Sequence, residues 1–368
     1  MTPDAAELQR RARELLSPEV YDYYAGGSGR ERTLRASARA WRRVWLAPRV
    51  LRAVSAVDTA TRLLGHPFST PLGVAPTGFQ GLAHPDGELA TAAGAARAGA
   101  LFVLSSRSTR RIEDVAETVT AEGGTWWFQV YLMRDRELTA GLVRRAAAAG
   151  AAALVLTADT PVVGRKRRVA RHELVSDRDF LVNLGPLDDL GRASQAADQT
   201  FADIGWLSEV GGGLPVVVKG VLRGDDAAAC RAHGAAAVIV SNHGGRQLDG
   251  ALPAAFALPE VAAAVRDAPG GGAGTAALGE RGDGGEVYAD GGIRTGEDAL
   301  TALALGACAV FLGRPAVWAL ACGGADGVRS LLTGLTDDLA HAMALAGAAS
   351  PAEVAGLARY VRLARGTP

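Results

Sequence analysis

Eight short apolar segments recur along the chain, and a helical segment follows most of them. Their hydrophobicity is continuous rather than alternating, which is typical of parallel strands that are buried on both faces. The segments are residues 72–76, 101–104, 126–131, 152–157, 215–218, 237–240, 286–289 and 308–312. Eight strand–helix units in roughly 300 residues predict an α/β fold of the (β/α)8 TIM-barrel type.

An open, doubly wound sheet is the alternative architecture, but it ordinarily carries a glycine fingerprint in its first strand–helix unit. The first unit of this sequence has no such fingerprint. We predict one domain over residues 1–368, with the barrel core at about 72–318 after an N-terminal helical segment. A charged interval at about 160–213 is predicted to form a lid after the fourth strand. The glycine-rich interval at about 268–285 is predicted to be a flexible insertion without a catalytic role.

Composition narrows the possible partners. The 39 basic and 39 acidic residues balance, so charge gives no reason to expect nucleic acid or an anionic membrane. The three cysteines and the histidines lack metal-like spacing, which predicts that there is no metal site. No signal-peptide core and no bilayer-length apolar run is evident, and the sequence therefore predicts a cytoplasmic protein without membrane attachment.

Glycines and an arginine follow both the seventh and the eighth predicted strands. They are Asp290-Gly291-Gly292-Ile293-Arg294 and Gly313-Arg314. Loops at these two positions commonly form a phosphate site in such barrels, where exposed backbone N–H groups and a helix N-terminus suit the dianion. The alternative is a pair of ordinary turns with surface arginines. The recurrence of the same features in both loops favours the phosphate.

The ends of the other strands carry hydrogen-bonding side chains that a flat heteroaromatic group would satisfy. These side chains belong to Thr77, Ser105, Gln129, Thr157, Lys219 and Ser241. Flavin mononucleotide (FMN) fits such a set together with the phosphate loops. Lys219 could place positive charge beside the N1/O2 edge of the flavin, and a lone buried lysine without such a purpose would be costly.

The stretch Ser-Asn-His-Gly-Gly-Arg-Gln-Leu-Asp at 241–249 directly follows a predicted buried strand. A histidine can move a proton near neutral pH, and an arginine can hold a carboxylate through two parallel hydrogen bonds. The alternative is a glycine turn with two solvated polar residues. The stretch favours proton abstraction from an anionic substrate.

With these motifs the chain resembles the FMN-dependent α-hydroxy acid oxidase and dehydrogenase family, which includes glycolate, lactate and 4-hydroxymandelate oxidases and mandelate dehydrogenase. The resemblance covers nearly the whole chain, and the 241–249 stretch with Asp-Gly-Gly-x-Arg at 290–294 is its most specific part. It also includes residues 20–24, 75–78, 83–88, 129–131, 156–161, 218–221 and 313–315.

The resemblance implies a role for each matching residue. His243 would take the proton released as C2 of the substrate is oxidised, by either a carbanion or a hydride mechanism. Asp159 would stabilise the resulting imidazolium, and Arg246 would bind the substrate carboxylate. Tyr131 and Tyr23 would hydrogen-bond the substrate, although packing of the N-terminal helix is the alternative role for Tyr23. The flavin site would add Pro76 and Gly78 to the strand-end and phosphate-loop residues.

Two positions depart from the family pattern. Members usually carry a second carboxylate-binding arginine where this chain has Lys166, and lysine lacks the bidentate fork. Arg165 or Arg167 could swing in instead. Many members carry an aromatic residue where this chain has Arg107. Arg107 could replace the missing guanidinium or pair with an extra acidic group on the substrate. These two departures disfavour ordinary glycolate or lactate as the substrate and leave a specialised substrate open, while the predicted reaction class stands.

The predicted activity is FMN-dependent oxidation of an (S)-2-hydroxy acid to the 2-oxo acid, with reoxidation by O2 or another acceptor. The alternatives are an FMN barrel with isomerase, nicotinamide-linked, oxidative deamination or monooxygenase chemistry, and a flavin-binding protein without activity. The His243 and Asp159 pair favours the oxidation. A homotetramer is implied by the resemblance.

Overall fold

The computed structural model describes residues 4–169, 182–184, 189–268, 285–355, 357 and 362–363. Eight parallel strands form a closed barrel in which chain neighbours pair and the last strand closes on the first, with Val310 opposite Leu72. The strands are β1 (Leu72–Val74), β2 (Leu101–Ser105), β3 (Trp126–Val130), β4 (Leu154–Thr157), β5 (Val216–Val221), β6 (Ala237–Val240), β7 (Glu286–Asp290) and β8 (Ala309–Leu312). The predicted barrel is confirmed, and the open sheet is excluded.

Three helices precede the barrel and nine follow within or after it in the part of the chain that the structure describes. They are α1 (Ala5–Leu15), α2 (Pro18–Ala25), α3 (Arg32–Trp41), α4 (Gly87–Arg97), α5 (Ile112–Ala121), α6 (Arg136–Ala148), α7 (Ala202–Val210), α8 (Gly224–Ala232), α9 (Ala254–Asp267), α10 (Gly296–Ala304), α11 (Arg314–Ala346) and α12 (Pro351–Ala355). Each barrel strand is followed by one of α4 to α11, and α11 is kinked at Gly324, whose φ is +56°.

The strands bury both faces, which explains their continuous hydrophobicity. Inside the barrel, the aromatic rings of Trp127, Tyr288 and Phe311 contact one another with centroids 5.5 to 6.1 Å apart. The outward-facing residues pack against the helices in a second, larger apolar cluster. An antiparallel pair formed by Thr61–Leu63 and His66–Phe68 packs its Leu63 against the inner cluster. The barrel is therefore a filled core, and only its rim is available for chemistry.

The N-terminal segment is held against the loop after β6. The Asp249 carboxylate accepts hydrogen bonds from the backbone N–H groups of Arg30 (2.8 Å) and Thr33 (3.0 Å). The Ser28 N–H donates to the Gly245 carbonyl at 2.9 Å. A Cβ on Gly245 would meet the backbone of Leu34. Because of this close approach, α2 and α3 form one side of the barrel rim.

The two intervals that interrupt the strand–helix rhythm are only partly described. Of the predicted lid, residues 170–181 and 185–188 lie outside the described residues. Its later part contains a short 3-10 helix, Leu190–Ala193, and Gln195 bridges to Met133 beyond β3. Of the predicted flexible insertion, residues 269–284 lie outside the described residues. Within the described chain, none of the helices combines the length and apolar character that crossing a bilayer requires.

Two helical glycines give a matched test of the helix packing. A Cβ on Gly296 would overlap the backbone of Asp338 and Leu339, whereas a Cβ on Gly141 in α6 would meet no atom within 4 Å. Gly296→Ala should lower the free energy of unfolding by about 1–3 kcal/mol because α10 and α11 must separate. Gly141→Ala should raise it by about 0.5–1 kcal/mol because alanine loses less backbone entropy. Urea unfolding of both variants measures the difference, and equal effects would contradict this packing.

Candidate active site

A cavity of about 340 Å³ opens at the carboxyl ends of the strands, within the usual range for small-molecule sites. Most residues predicted for the site line it. They are Tyr23, Pro76, Thr77, Gly78, Ser105, Arg107, Tyr131, Thr157, Lys166, Lys219, His243, Arg246, Asp290, Gly291, Gly292, Arg294, Gly313 and Arg314. The remaining three, Asp159, Gln129 and Ser241, lie directly behind this wall, each hydrogen-bonded to a residue that lines it.

His243 and Asp159 form the central pair of the cavity. His243 Nδ1 lies 2.8 Å from Asp159 Oδ1, which leaves Nε2 as the ring nitrogen that can exchange a proton with a ligand. The His243 backbone has φ +56°, a region that non-glycine residues seldom adopt and that concentrates at functional sites. The Ser241 hydroxyl accepts from the His243 N–H at 3.0 Å, and this bond supports the strained turn.

Asp159 is held ionised by its neighbours. Burial alone would raise the pKa of Asp159, but the charge and hydrogen bond of His243, with Lys219 beyond it, hold the pKa below its usual value. The Thr160 hydroxyl also donates to Oδ1 at 3.0 Å. An ionised carboxylate at this position can stabilise the imidazolium cation that forms when a histidine base takes a proton.

Lys219 is paired within the chain, which differs from the lone lysine of the sequence prediction. Its Nζ lies 2.9 Å from Asp290 Oδ2 and donates to the Ser241 hydroxyl at 2.8 Å. Burial lowers the pKa of Lys219, but the carboxylates of Asp290 and Asp159 outweigh it and hold the pKa above its usual value. Lys219 on β5 lies beside β6, which carries Ser241 at its end, and reaches across it to Asp290 at the end of β7. The spacing of these residues in the sequence does not predict this arrangement.

A buried network joins three of the predicted strand-end residues. The Ser105 hydroxyl donates to Gln129 Oε1 at 3.1 Å, and Gln129 Nε2 donates to the Thr157 hydroxyl at 2.9 Å. Gln129 therefore fixes the two hydroxyls that face the cavity, on strands β2 and β4 to either side of its own.

The loops after β7 and β8 have the features of a phosphate cradle. Gly291 and Gly292 have φ of +89° and +95°, so side chains there would be strained. Gly313 leaves open space, because a Cβ built on it would have Ala75 Cβ, 4.0 Å away, as its nearest neighbour. The Asp290 Oδ1 atom is buried and lacks a hydrogen-bond partner among the described residues. A phosphorylated ligand with hydroxyl groups would satisfy both features.

Arg246 and Arg314 converge on the N-terminal segment. Arg246 Nη1 donates to the Tyr23 carbonyl at 2.6 Å, and its guanidinium lies 5.0 Å from the centroid of the Tyr23 ring. Arg314 donates to the carbonyls of Tyr24, Gly244 and Gly26 at 2.8 to 2.9 Å. Burial, with the neighbouring charges of Arg246 and Arg294, lowers the pKa of Arg314. Such a cluster of cations favours bound anions.

Lys166 is half-buried in the same wall. Its Nζ donates to the Gly164 carbonyl at 3.3 Å. Burial, with the charge of Arg246, lowers the pKa of Lys166 to about 8. Lys166 is therefore close to Arg246, as expected of a second carboxylate ligand. With a pKa of about 8, it gains or loses its proton just above neutral pH.

Three contributors to the site were missed in the sequence. Gly220, with φ +108°, leaves room for Asp159, whose Cβ would lie 2.5 Å from a Cβ on Gly220. Buried Glu88 accepts from the N–H groups of Gln80 and Thr109 at 3.0 Å and so joins the loops after β1 and β2. The Tyr24 hydroxyl donates to the Phe79 carbonyl at 2.6 Å. All three lie in stretches that carry the family resemblance, at 218–221, 83–88 and 20–24, but the sequence predicted none of these contacts.

The geometry fits a class of (β/α)8 barrel that binds a phosphorylated ligand and an anionic substrate beside a histidine–aspartate pair. A model of the FMN-dependent dehydrogenase family matches residues 12–359. The chain belongs to this family.

Individual relatives agree. The chain is 44% identical to an L-lactate oxidase from Nostoc sp., over 93% of each chain. It is 42% identical to a 4-hydroxymandelate oxidase from Amycolatopsis orientalis, over 94% of each. A solved structure of a mandelate oxidase variant with (S)-mandelic acid is 39% identical and covers both chains fully with a TM-score of 0.86. The predicted family, the FMN cofactor and the reaction class, oxidation of a 2-hydroxy acid, are confirmed.

The space at Gly313 gives a test of the phosphate cradle. Gly313→Ala should weaken FMN binding by about tenfold or more, because the added methyl group projects into the cavity rather than into the protein. The melting temperature of the apoprotein should change little for the same reason. Fluorescence titration of the apoprotein with FMN measures the affinity. An unchanged dissociation constant would show that the phosphate lies elsewhere.

Proposed function

We propose that this chain oxidises (S)-2-hydroxy acids to 2-oxo acids with His243 as the base. The observation that carries the proposal is the 2.8 Å contact of His243 Nδ1 with buried Asp159, inside a cavity that Arg246 and Lys166 also line. FMN, when bound, accepts the two electrons that leave C2. Side chains of this chain bind and orient the substrate and take up its proton.

His243 Nε2 takes one substrate proton as C2 is oxidised. The contact with Asp159 holds the ring in the tautomer that leaves Nε2 unprotonated, and the ionised carboxylate then stabilises the imidazolium. Carbanion and hydride mechanisms need the same base and differ in whether His243 removes the C2 proton or the hydroxyl proton.

Arg246 and Lys166 bind the C1 carboxylate, and the phenols of Tyr131 and Tyr23 orient the substrate. Burial raises the pKa of Tyr131, with the charge of Asp159 adding to the effect. Tyr131 therefore stays protonated and can donate a hydrogen bond to substrate oxygen. The residues predicted at the strand ends and in the two phosphate loops would hold the flavin.

O2 or another acceptor completes the cycle, and the names of the relatives favour O2. Homotetrameric assembly in the cytoplasm belongs to the same proposal. Exposed Val50, Leu51 and Leu345 support assembly, because the Arg49 N–H donates to the Ala346 carbonyl at 3.0 Å and so brings together the two segments that carry these apolar side chains. Light scattering of the holoprotein would show a monomer if this part is wrong.

Removing the base should slow flavin reduction strongly without loss of the flavin. His243→Asn should slow anaerobic bleaching of bound FMN by (S)-2-hydroxy acids by about 10²–10⁴-fold, the usual contribution of a positioned base. Asp159→Asn should have a smaller effect in the same direction, since His243 remains. Stopped-flow absorbance measures both variants, with FMN content as the control. Wild-type protein that holds FMN but is bleached by no 2-hydroxy acid would refute the proposal.

Loss of the Lys166 charge should produce an alkaline limb in the pH profile of kcat/KM. Because burial lowers its pKa to about 8, Lys166 is charged below that pH and loses its charge above it. The value of kcat/KM for an anionic substrate should therefore fall about tenfold per pH unit well above pH 8. Lys166→Arg should remove this limb, because arginine stays charged. An identical limb in that variant would assign the titration to another group.

A further inference from the structure

The balanced net charge of the chain conceals one strongly basic segment. Residues 30–43 contain six arginines and a single acidic residue, Glu31. The Glu31 carboxylate is bound by the Arg168 guanidinium at 2.7 Å, so the one acid of the segment is engaged outside it. Three of the six arginines lie on α3, and two directly follow this helix.

A surface groove of about 370 Å³ lies between α3 and the start of α9. This volume is within the usual range for small-molecule sites. Four arginines line the groove together with two half-buried apolar residues, and no acidic residue of the described chain lines it. These six residues are Arg32, Arg35, Arg39, Arg43, Pro253 and Phe256.

Three of the groove arginines have no ion pair within the described ranges. They are Arg35, Arg39 and Arg43, all exposed, whereas Arg32 has the Asp249 carboxylate near it. Successive members of the three are four residues apart and therefore neighbours on one face of the helix. Like charges at this spacing destabilise a helix, so an anion bound between them would stabilise it.

The length of this array indicates a ligand with several anionic groups. At 1.5 Å per residue, Arg35 and Arg39 are about 6 Å apart along the helix axis, and Arg43 lies about one turn further on. One carboxylate or phosphate group pairs with one guanidinium fork, whereas linked phosphates can reach successive arginines. A stable protein partner would cover about 800 Å² of this surface, so a groove of this size favours a small ligand.

The opposite face of α3 is fixed to the barrel, which separates the groove from the active site. Trp41 Nε1 donates to the Gly291 carbonyl at 3.0 Å, and Asn242 Nδ2 donates to the Ser37 hydroxyl at 3.0 Å. None of the residues that line the groove lines the active-site cavity. The groove is therefore a second anion site, distinct from the phosphate cradle after β7 and β8.

We propose that the groove between α3 and α9 binds a linear chain of phosphates, either free or as part of a nucleotide, through Arg35, Arg39 and Arg43. Phosphate oxygens would accept charge-assisted hydrogen bonds from the guanidinium groups. The Arg43 guanidinium lies 5.8 Å from the centroid of the Phe256 ring, so Phe256 restrains one end of the array. This proposal is independent of the proposed oxidation.

Calorimetric titration of the holoprotein with tripolyphosphate, in phosphate-free buffer and with FMN in excess, tests the site. The excess of FMN keeps the phosphate cradle of the active site filled. Tripolyphosphate should bind the wild type at least about tenfold more tightly than orthophosphate. The double variant Arg35→Gln/Arg39→Gln should weaken its binding by about tenfold or more. The control Arg11→Gln/Arg52→Gln removes the same charge from exposed arginines outside the groove and should bind as the wild type does.

The melting temperature of each variant checks that its fold is unchanged. If the double variant is unfolded, Arg39→Gln alone replaces it, with an expected loss of about threefold. Three results would overturn the proposal. They are no binding of tripolyphosphate at about 1 mM, an equal loss in the groove variant and the control, and hexaglutamate bound as tightly as tripolyphosphate.

ATP identifies the source of the phosphate chain. Binding of ATP that is at least as tight as that of tripolyphosphate, and is lost in the groove variant, assigns the site to a nucleotide. Weaker binding of ATP, with tripolyphosphate still bound, assigns it to a free polyphosphate. Both results support the groove as a phosphate site.

Discussion

The 2.8 Å hydrogen bond between His243 and Asp159 is the contact on which the rest of the site depends. It joins the loops after β4 and β6, which are not neighbours in the barrel, across the end of β5. The crossing is possible because Gly220, at the end of β5, has no side chain where the Asp159 Cβ must pass. It also requires the left-handed turn at His243. Three adjacent strands thus cooperate to orient one imidazole.

Charge in the cavity is balanced in two different ways. Lys219 is neutralised inside the chain by Asp290, so its contribution is built into the fold. Arg246 and Arg314 are instead solvated by main-chain carbonyls of the N-terminal segment, which stabilise the cations only partly and leave the pKa of Arg314 depressed by burial and by neighbouring charge. Bound anions relieve that cost, and ligand binding should accordingly stabilise the fold.

The sequence predicted the parts of this structure that depend on local pattern. Strands buried on both faces are continuously apolar, so all eight could be located, and their C-terminal residues necessarily meet at one rim. Contacts that depend on strand register could not be read in the same way. The Lys219 pair with Asp290 joins β5 to β7, and the Arg107 bond to Ala193 joins the loop after β2 to a segment 86 residues away. The need for a glycine at position 220 becomes apparent only when the structure places Asp159 beside it.

The division of residues between strands and loops suggests why reaction and substrate can vary separately. His243, Asp159 and Lys219 are held by bonds between strand ends, and a change in any one disturbs its partners. The Arg107 guanidinium donates to the Ala193 carbonyl, and the Lys166 ammonium group donates to the Gly164 carbonyl. Main-chain carbonyls persist whatever the side chain. Substitutions at these two positions can therefore alter the charge that meets the substrate while the base and its support stay in place.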